Sequence, residues 1–286
     1  MIGAGTRLVA LLGNPVGHSL SPVMHNAAFR ETGLDMCYLA FEVIPGDLGK
    51  ALEGLKCLGA VGANITVPFK ERALLYMDRL APLADAVGAV NTIVFEGKRA
   101  FGHNTDIDGI GETLRLFRVP KEPVLLLGAG GAARAAACAL GKEGCGPIWV
   151  SNRNFKRAEQ LAEDLARICK TPFAGAVPWG ERPPEPCPLV VNATSLGLKG
   201  TDWPEGLPEK ILSGEDVEGV LDLVYRPGAV TPLVEAAQKR GIAAIGGEEV
   251  LLRQGAAAFT LFTGVDAPVE RMRRSMREWT MRDGRG

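Results

Sequence analysis

The fold of this 286-residue chain is decided by the stretch Val124-Leu-Leu-Leu-Gly128-Ala-Gly130-Gly131-Ala-Ala133-Arg134. The apolar residues predict a buried strand, the glycines a tight turn, and the alanines a helix. In this pattern Gly128 permits the turn, Gly130 lets a ligand approach the backbone, and Ala133 lets the helix lie close to the sheet. The N–H groups and the dipole at the helix start attract phosphate. The stretch therefore predicts a dinucleotide-binding turn at residues 128–132.

The next predicted strand indicates which dinucleotide is bound. It ends at Ser151 and leads into Asn152-Arg153-Asn154-Phe155-Lys156-Arg157. A site for NAD usually has Asp or Glu here, bonded to the ribose 2′-hydroxyl. This segment has no carboxylate, and its arginines can each bond two oxygens of a 2′-phosphate. Exposed charges at a helix start are the alternative interpretation, but positive charge there opposes the helix dipole. The sequence favours NADP.

Short apolar runs alternate with longer amphipathic ones, which is typical of βαβ units and mainly parallel sheets. The predicted strands are Leu8–Leu12, Cys37–Val43, Ala60–Val67, Val90–Glu96, Val124–Gly128, Ile148–Ser151, Leu189–Ala193, Gly219–Leu223 and Ala243–Ile245. The predicted helices are Pro22–Thr32, Gly46–Leu58, Glu71–Leu74, Gly109–Phe117, Gly131–Glu143, Phe155–Arg167, Thr231–Arg240, Glu248–Thr263 and Ala267–Met281. We therefore expect an α/β protein of two domains.

A seam between the domains is predicted at Val119-Pro120-Lys121-Glu122-Pro123, because the prolines stop a helix and keep the chain extended. We expect an N-terminal domain over residues 1–118 and a nucleotide-binding domain over residues 119–249. The last two predicted helices have no strand after them, so residues 250–286 are expected to complete the first domain.

Composition excludes several classes of partner. A net charge of -1 gives no general attraction for nucleic acid or for an anionic membrane. The basic stretch Arg271–Arg285 is interpreted as the solvated face of a last helix. The six cysteines form no C-x-x-C pair and there are three histidines, so neither a metal site nor a disulfide framework is expected. No apolar stretch reaches transmembrane length, and we expect a cytoplasmic protein.

Polar residues follow the predicted strands of the first domain, where ligands bind in open α/β sheets. Ser19 and Ser21 precede a helix and can face one carboxylate together, although Ser21 can also be a helix N-cap. Lys70 follows a strand and a turn fixed by proline; by itself it can equally be a solvated lysine. Asn91 and Asp106 are expected in loops, with capping as the alternative role.

Ordered motifs run from Gly13 to about Gly264 and cover most of the chain. They are Gly13-Asn14-Pro15, His18-Ser19-Leu20-Ser21-Pro22, His25-Asn26, Asn64-Ile-Thr66-Val-Pro68-Phe69-Lys70, Gly88-Ala-Val-Asn91-Thr92, Asn104-Thr105-Asp106, Gly128-Ala-Gly-Gly-Ala-Ala133-Arg134, Asn152-Arg153, Asn192-Ala-Thr194-Ser195-Leu-Gly197, Asp222-Leu-Val-Tyr225-Arg-Pro227, Thr231-Pro232-Leu233 and Gln254-Gly255-Ala256. In this series the chain resembles the shikimate dehydrogenase family.

The resemblance implies a substrate domain and a Rossmann domain with the active site in the cleft between them. It implies reversible, NADPH-dependent reduction of 3-dehydroshikimate to shikimate in aromatic amino acid biosynthesis, by a monomer or homodimer. Lys70 and Asp106 are the implied catalytic pair. The implied substrate contacts are Ser19, Ser21, Thr66, Asn91, Asp106, Tyr225 and Gln254. The implied NADP contacts are Gly128, Ala129, Gly130, Gly131, Ala132, Asn152, Arg153, Asn154, Arg157, Thr194, Leu223 and Gly247.

One position departs from the family pattern, and three alternatives remain open. Asn154 stands where the family usually has threonine, which puts one hydrogen bond to the 2′-phosphate in question. A dual quinate/shikimate dehydrogenase using NAD is the first alternative, disfavoured by the lack of an acidic residue at Asn152. A methylenetetrahydrofolate dehydrogenase explains the paired serines and the Lys70 and Asp106 pair less well. A non-catalytic NADP-sensing module would not need that pair.

Overall fold

The computed structural model describes residues 2–116, 123–168, 173–198 and 200–283, so residues 119–122 of the predicted seam lie outside the described residues. The chain divides into two compact units: unit 1 is Met1–Thr105 with Leu252–Gly286, and unit 2 is Asp106–Leu251. The first division falls after Thr105, the first residue of the helix that leads to the seam. That helix belongs to unit 2 because its Asp108 and Arg115 form ion pairs with residues of that unit, at 3.1 and 2.9 Å.

Unit 1 is built on a six-stranded sheet with the order β2-β1-β3-β5-β6-β4. Its strands are β1 (Arg7–Gly13), β2 (Met36–Glu42), β3 (Gly62–Ile65), β4 (Arg79–Leu80), β5 (Thr92–Glu96) and β6 (Arg99–His103). β1 is parallel to β2 and β3, and β4 is parallel to β6, whereas β5 is antiparallel to both of its neighbours. The sheet is therefore parallel at one side and mixed at the other.

The mixed side comes from a hairpin that the sequence analysis did not predict. β5 and β6 pair from Glu96 opposite Arg99, with Gly97 and Lys98 as the turn. Gly97 has φ +61, which favours glycine and suits a two-residue hairpin. Ala100, Phe101 and Gly102 offer only one large apolar side chain, so β6 carries a weak strand signal in the sequence.

Helices cover the sheet of unit 1. They are α1 (Ser21–Glu31), α2 (Leu48–Cys57), a 3-10 helix (Arg72–Tyr76), α3 (Pro82–Val87), the part of α9 (Gly247–Thr263) from Leu252 onward, and α10 (Val269–Asp283). α10 packs on α1, and both helices lie in unit 1. Phe29 of α1 also contacts Phe259 of α9, with ring centroids 5.4 Å apart.

Unit 2 is built on a six-stranded, fully parallel sheet with the order β12-β11-β10-β7-β8-β9. Its strands are β7 (Val124–Leu127), β8 (Ile148–Ser151), β9 (Phe173–Val177), β10 (Leu189–Asn192), β11 (Gly219–Asp222) and β12 (Ala243–Ile245). Its helices are α4 (Thr105–Leu116), α5 (Gly131–Lys142), α6 (Phe155–Ile168), α7 (Leu207–Ile211) and α8 (Pro232–Lys239). This order is that of a Rossmann fold, and the strand order reverses between β7 and β10.

The predicted α/β fold class is thereby confirmed for both units. Within the described ranges, Cys37, Cys57, Cys145 and Cys187 form no disulfide bond. None of the helices in the described parts of the chain is both long and apolar enough to cross a membrane.

Candidate active site

The glycine turn after β7 has the backbone geometry that its sequence predicts. Gly128 has φ +111, and a Cβ added there would lie 2.9 Å from the carbonyl oxygen of Ala193. The Gly128 N–H donates to the carbonyl of Ser151 at 2.8 Å. The turn is thus held between the ends of β8 and β10. This is the topological switch point of the sheet, where ligands bind in such folds.

The start of α5 is shaped to receive phosphate. Gly130 is its N-cap and supplies no side chain for capping. A Cβ added at Gly130 would meet no atom within 4 Å, so the space over the helix start is open. Ala133 is fully buried, which lets α5 lie close to the sheet. The first N–H groups of the helix are therefore available to a pyrophosphate, whose charge the dipole also favours.

The basic turn after β8 is anchored by its two asparagines. The Asn152 amide donates to the carbonyl of Asn154 at 2.9 Å, and Asn154 Oδ1 accepts from the Arg157 N–H at 3.3 Å. Asn154 therefore caps α6. Arg153 and Arg157 are exposed, and within the described ranges neither guanidinium has an ion-pair partner. Two exposed arginines that have no ion-pair partner in the described ranges suit the predicted 2′-phosphate site.

A buried polar cluster joins the ends of β10 and β11 and positions Thr194. Asn192 donates to Asp222 Oδ1 at 2.8 Å, and Thr231 donates to Asp222 Oδ2 at 2.6 Å. Thr194 donates to Asn192 Oδ1 at 2.7 Å. Burial raises the pKa of Asp222 to about 6, against the opposing effect of these hydrogen bonds. Asn192 and Asp222 were not predicted as site residues, since a buried amide and carboxylate can be recognised as partners only in the folded structure.

Leu223 and Gly247, predicted near the nicotinamide, lie against each other. A Cβ added at Gly247 would be 2.4 Å from the Leu223 carbonyl oxygen. The Gly247 N–H donates to the Val224 carbonyl at 3.2 Å. Tyr225, a predicted substrate contact, is half-buried and follows directly after this segment. Unit 2 therefore brings most of the predicted cofactor residues to the carboxyl edge of its sheet.

In unit 1 the two predicted carboxylate ligands form one local motif. The Ser21 N–H donates to the Ser19 hydroxyl at 3.2 Å. The helix N-cap is Leu20, without a side-chain cap bond, and Ser21 is the first helical residue. The alternative that Ser21 is the N-cap is therefore wrong, because α1 begins one residue earlier than that role requires. Both hydroxyls lie where β1 leads into α1.

Asn91 is the centre of a second polar group in unit 1. Its Nδ2 donates to the Thr105 hydroxyl at 3.0 Å and to Gln254 Oε1 at 3.4 Å. The Thr105 N–H donates to Asn91 Oδ1 at 2.7 Å. Asn64 donates to the Asn91 carbonyl at 3.1 Å. Two predicted substrate residues, Asn91 and Gln254, are thus brought together. Asp106 follows Thr105 in the first turn of α4, so the expectation that Asp106 lies in a loop is wrong.

Gln254 lies beside a close contact between α9 and α1. Its neighbour Gly255 faces Met24 of α1, and a Cβ added at Gly255 would lie 2.2 Å from the Met24 Cε. Glycine at this position therefore lets the Met24 side chain keep its place. Gly255 matched the family motif, but its packing role was not visible in the sequence.

Thr66 and Lys70 follow β3 in a hydrogen-bonded turn. The Phe69 N–H donates to the Thr66 carbonyl at 2.9 Å, and the Lys70 carbonyl accepts from the Val90 N–H at 2.9 Å. Lys70 is thereby fixed next to the segment that leads to Asn91. Lys70 lies in unit 1 and Asp106 begins unit 2, so their action as a pair stays a prediction. Among the described residues, no three His, Cys, Asp or Glu are grouped to hold a metal ion.

Comparison with known proteins identifies the family. Residues 11–93 match the model of the shikimate dehydrogenase substrate binding domain, residues 113–174 that of shikimate/quinate 5-dehydrogenase, and residues 247–277 that of the shikimate 5'-dehydrogenase C-terminal domain. The NADP(+) shikimate dehydrogenase of Moorella thermoacetica is 47% identical over 97% of this chain and 95% of its own. The chain belongs to the shikimate dehydrogenase family.

Solved structures of the family agree with this assignment. A shikimate dehydrogenase of Thermus thermophilus in complex with NADP(H) and shikimate is 37% identical, with a TM-score of 0.84 over 96% of this chain and 99% of that one. A quinate dehydrogenase of Corynebacterium glutamicum in complex with NAD has the same TM-score at 29% identity, over 96% and 99% of the chains. The fold alone therefore does not distinguish shikimate dehydrogenase from quinate dehydrogenase activity. The residues of the site must make that distinction.

Proposed function

We propose that this protein reduces 3-dehydroshikimate to shikimate, reversibly and with NADPH, as a step of aromatic amino acid biosynthesis. The observation that carries the proposal is the hydrogen bond between Asn91 and Gln254, two predicted substrate residues that are 163 positions apart in the sequence. This contact supports a prearranged amide surface for the hydroxyl groups of a polyol ring. The 47% identity to an NADP-dependent relative supports the same activity.

Three groups of residues are proposed to bind the substrate. Ser19 and Ser21 bind its carboxylate through their hydroxyls, beside the start of α1. Thr66, Asn91 and Gln254 bind ring hydroxyls, for which amides and hydroxyls offer both donors and acceptors. Asp106 and Tyr225 are proposed as further substrate contacts.

NADP is proposed as the cofactor because the chain offers both parts of its site. The turn formed by Gly128, Ala129, Gly130, Gly131 and Ala132 would hold the pyrophosphate. Asn152, Arg153, Asn154 and Arg157 would hold the adenosine 2′-phosphate, and Thr194, Leu223 and Gly247 would lie at the nicotinamide end. When bound, NADPH supplies a hydride to the substrate ketone.

Lys70 and Asp106 are proposed to carry out proton transfer to and from the substrate oxygen. Hydride arrival at C3 leaves negative charge on the ketone oxygen, and Lys70 as an ammonium group donates a proton to that oxygen. In the oxidation direction Lys70 takes the proton back. Asp106 orients the ammonium group and accepts a hydrogen bond from the same hydroxyl. Such a general acid contributes about 10²–10⁴-fold to the rate.

A spectrophotometric assay tests this function. Shikimate and quinate are each offered with NADP+ and with NAD+, and formation of the reduced nicotinamide is followed by its absorbance. We expect turnover of shikimate with NADP+ to exceed the other three combinations. Preferred oxidation of quinate with NAD+ would instead establish the dual quinate/shikimate activity, and lack of turnover with all four would contradict the proposal.

We also propose that the enzyme works in the cytoplasm, as a monomer or homodimer. The reaction consumes NADPH, which biosynthetic enzymes draw from the cytoplasmic pool. Cell fractionation and sedimentation of the purified chain test these two statements.

A further inference from the structure

A groove in unit 1 has no part in the proposed reaction. It lies between α1 and α10 and has a volume of about 410 Å³. Known small-molecule sites have volumes of about 300–1,000 Å³. Three arginines, one glutamate and one tryptophan line the groove: Arg30, Arg271, Arg282, Glu278 and Trp279. The basic stretch of α10 therefore contributes two of its arginines to a concave surface.

The groove uses a different side of α1 from the proposed substrate site. Ser21 and Met24 are buried, and Met24 packs toward α9. Residues three apart share one side of a helix, so Ser21 belongs to this inner side. Pro22, Asn26 and Arg30 line the groove and follow one another at intervals of four residues, which places them on a second side. A molecule in the groove is thus distinct from one held by Ser21.

The uncharged polar side chains of the groove already have partners in the protein. Asn26 accepts from the Tyr38 N–H at 2.9 Å and donates to the Tyr38 carbonyl at 2.8 Å. Ser275 donates to the Met272 carbonyl at 2.7 Å. These bonds hold the walls of the groove in place, and they leave the arginines as its donors to a ligand.

Two of the arginines lie at the same end of the groove. Arg271, in the first turn of α10, is 4.0 Å from Glu31, the last residue of α1, and Arg30 directly precedes Glu31. Arg271 is also 4.0 Å from Glu278. Both separations exceed the length of an N–H···O hydrogen bond, about 2.7–3.2 Å. The guanidinium of Arg271 can therefore still donate to a closer carboxylate.

The third arginine and the tryptophan define the rest of the ligand. Among the described residues, neither Arg30 nor Arg282 forms an ion pair, so positive charge exceeds negative charge in the lining. Trp279 is 48% exposed and presents a large apolar ring to the groove. Aromatic rings stack on such a surface with a gain beyond the area that they bury. One exposed ring is small beside a protein interface, which covers about 800 Å² on each partner.

We propose that the groove between α1 and α10 is a binding site for a small carboxylic acid with a planar apolar ring. The carboxylate binds the guanidinium groups of Arg30 and Arg271, whose planar forks can each make two bonds to its oxygens. The ring lies on Trp279. The site is independent of the proposed activity, since it uses none of the residues assigned to substrate or cofactor.

Calorimetric titration of the full chain with 2-naphthoate tests the proposal. 2-Naphthamide is its neutral counterpart, and acetate is an anion without a ring. We expect 2-naphthoate to bind with a Kd of about 0.1–1 mM, as is usual for a ligand of this size. The amide and acetate should each bind at least about tenfold more weakly, because each lacks one of the two interactions. Equal binding of the amide, or no saturable binding of 2-naphthoate, overturns the proposal.

Substitutions place the ligand in the groove. Arg271→Gln and Trp279→Leu should each raise the Kd for 2-naphthoate about tenfold. Arg274→Gln is the matched control, since Arg274 is an exposed arginine of α10 outside the groove, and it should leave the Kd unchanged. If Arg271→Gln does not fold, the double variant Arg30→Gln with Arg282→Gln removes two exposed charges of the lining instead. An unchanged Kd in the groove variants overturns the proposal.

Two further measurements separate this site from the substrate site and from an interface between copies. The titration is repeated with saturating shikimate and without nucleotide: an unchanged Kd supports the groove, whereas competition overturns it and leaves the proposed function standing. A wild-type dimer that dissociates in Trp279→Leu during sedimentation would show that a second copy fills the groove, and this too overturns the proposal. Lack of shikimate turnover contradicts the proposed function alone, because the Kd for 2-naphthoate does not depend on it.

Discussion

Asn91 and Gln254 are 163 positions apart in the sequence, yet the Asn91 amide donates to the Gln254 Oε1 at 3.4 Å. The contact joins the start of β5 to a helix from the far end of the chain. Beside Gln254, Gly255 of the same helix faces the end of the Met24 side chain on α1. The proposed hydroxyl-binding surface is therefore assembled by helix packing within unit 1.

Removal of one side of this contact should weaken substrate binding selectively. We expect Gln254→Ala to raise KM for shikimate about tenfold, since about one hydrogen bond to the substrate is lost, and to leave KM for NADP+ unchanged. Initial-rate kinetics measure both constants. Gln238→Ala on the exposed side of α8 is the matched control. An unchanged KM for shikimate would remove Gln254 from the substrate site.

Arg153 should discriminate between the two nicotinamide cofactors. Arg153→Ala is expected to raise KM for NADP+ by about 10- to 100-fold, the loss of a charge-assisted hydrogen bond, and to change KM for NAD+ less than twofold. Both constants are measured at fixed shikimate. Arg274→Ala, an exposed arginine of α10, should change neither. Equal increases for both cofactors would show that Arg153 does not bind the 2′-phosphate.

Lys70 should be required for turnover and dispensable for cofactor binding. Lys70→Ala is expected to lower kcat by about 10²–10⁴-fold, the usual contribution of a general acid, while the Kd for NADPH stays within twofold of the wild type. Steady-state rates and fluorescence titration measure the two quantities. Lys98→Ala, in the exposed β5–β6 turn, is the control. Near-normal turnover in Lys70→Ala would exclude Lys70 as the proton donor.

His25 should make the folded protein sensitive to acid. Burial lowers the pKa of His25 to about 3, from 6.5, so the unfolded chain binds the extra proton first as the pH falls. The free energy of unfolding should then decrease by about 1.4 kcal/mol per pH unit from pH 6.5 toward pH 3, through this residue alone. Urea unfolding of the wild type and of His25→Phe across this range should show a smaller acid loss in the variant. Parallel curves would contradict the expectation.

Protonation of Asp222 should have the opposite effect on stability to that of His25, over an overlapping pH range. Its pKa is raised from 3.8 to about 6, so the folded protein holds this proton more tightly and loses stability as the pH rises from 3.8 to 6. Asp222→Asn is isosteric and does not titrate. Relative to the wild type, this variant should therefore lose more stability on acidification between pH 6 and pH 4. A smaller loss in Asp222→Asn would show that the carboxylate is charged in the folded state throughout.

The sequence by itself determined the parts of this protein that depend on near neighbours. The apolar run of β7, the turn at Gly128 and the alanine-rich start of α5 specify a nucleotide-binding strand, turn and helix, because each needs only local backbone conformation and close packing. The basic turn at residues 152–157 is likewise a single short segment, so the preference for NADP that it indicates can be predicted from the sequence.

Only the tertiary structure decided which distant residues meet. The bond between Asn91 and Gln254, the bond from the Tyr38 hydroxyl to Asn64, and the cluster around Asp222 link segments that the sequence keeps far apart. A buried polar group needs a hydrogen-bond partner, but this requirement does not identify which residue will be that partner. Helix packing and strand order determine the partner, because they decide which side chains lie within hydrogen-bond distance of one another.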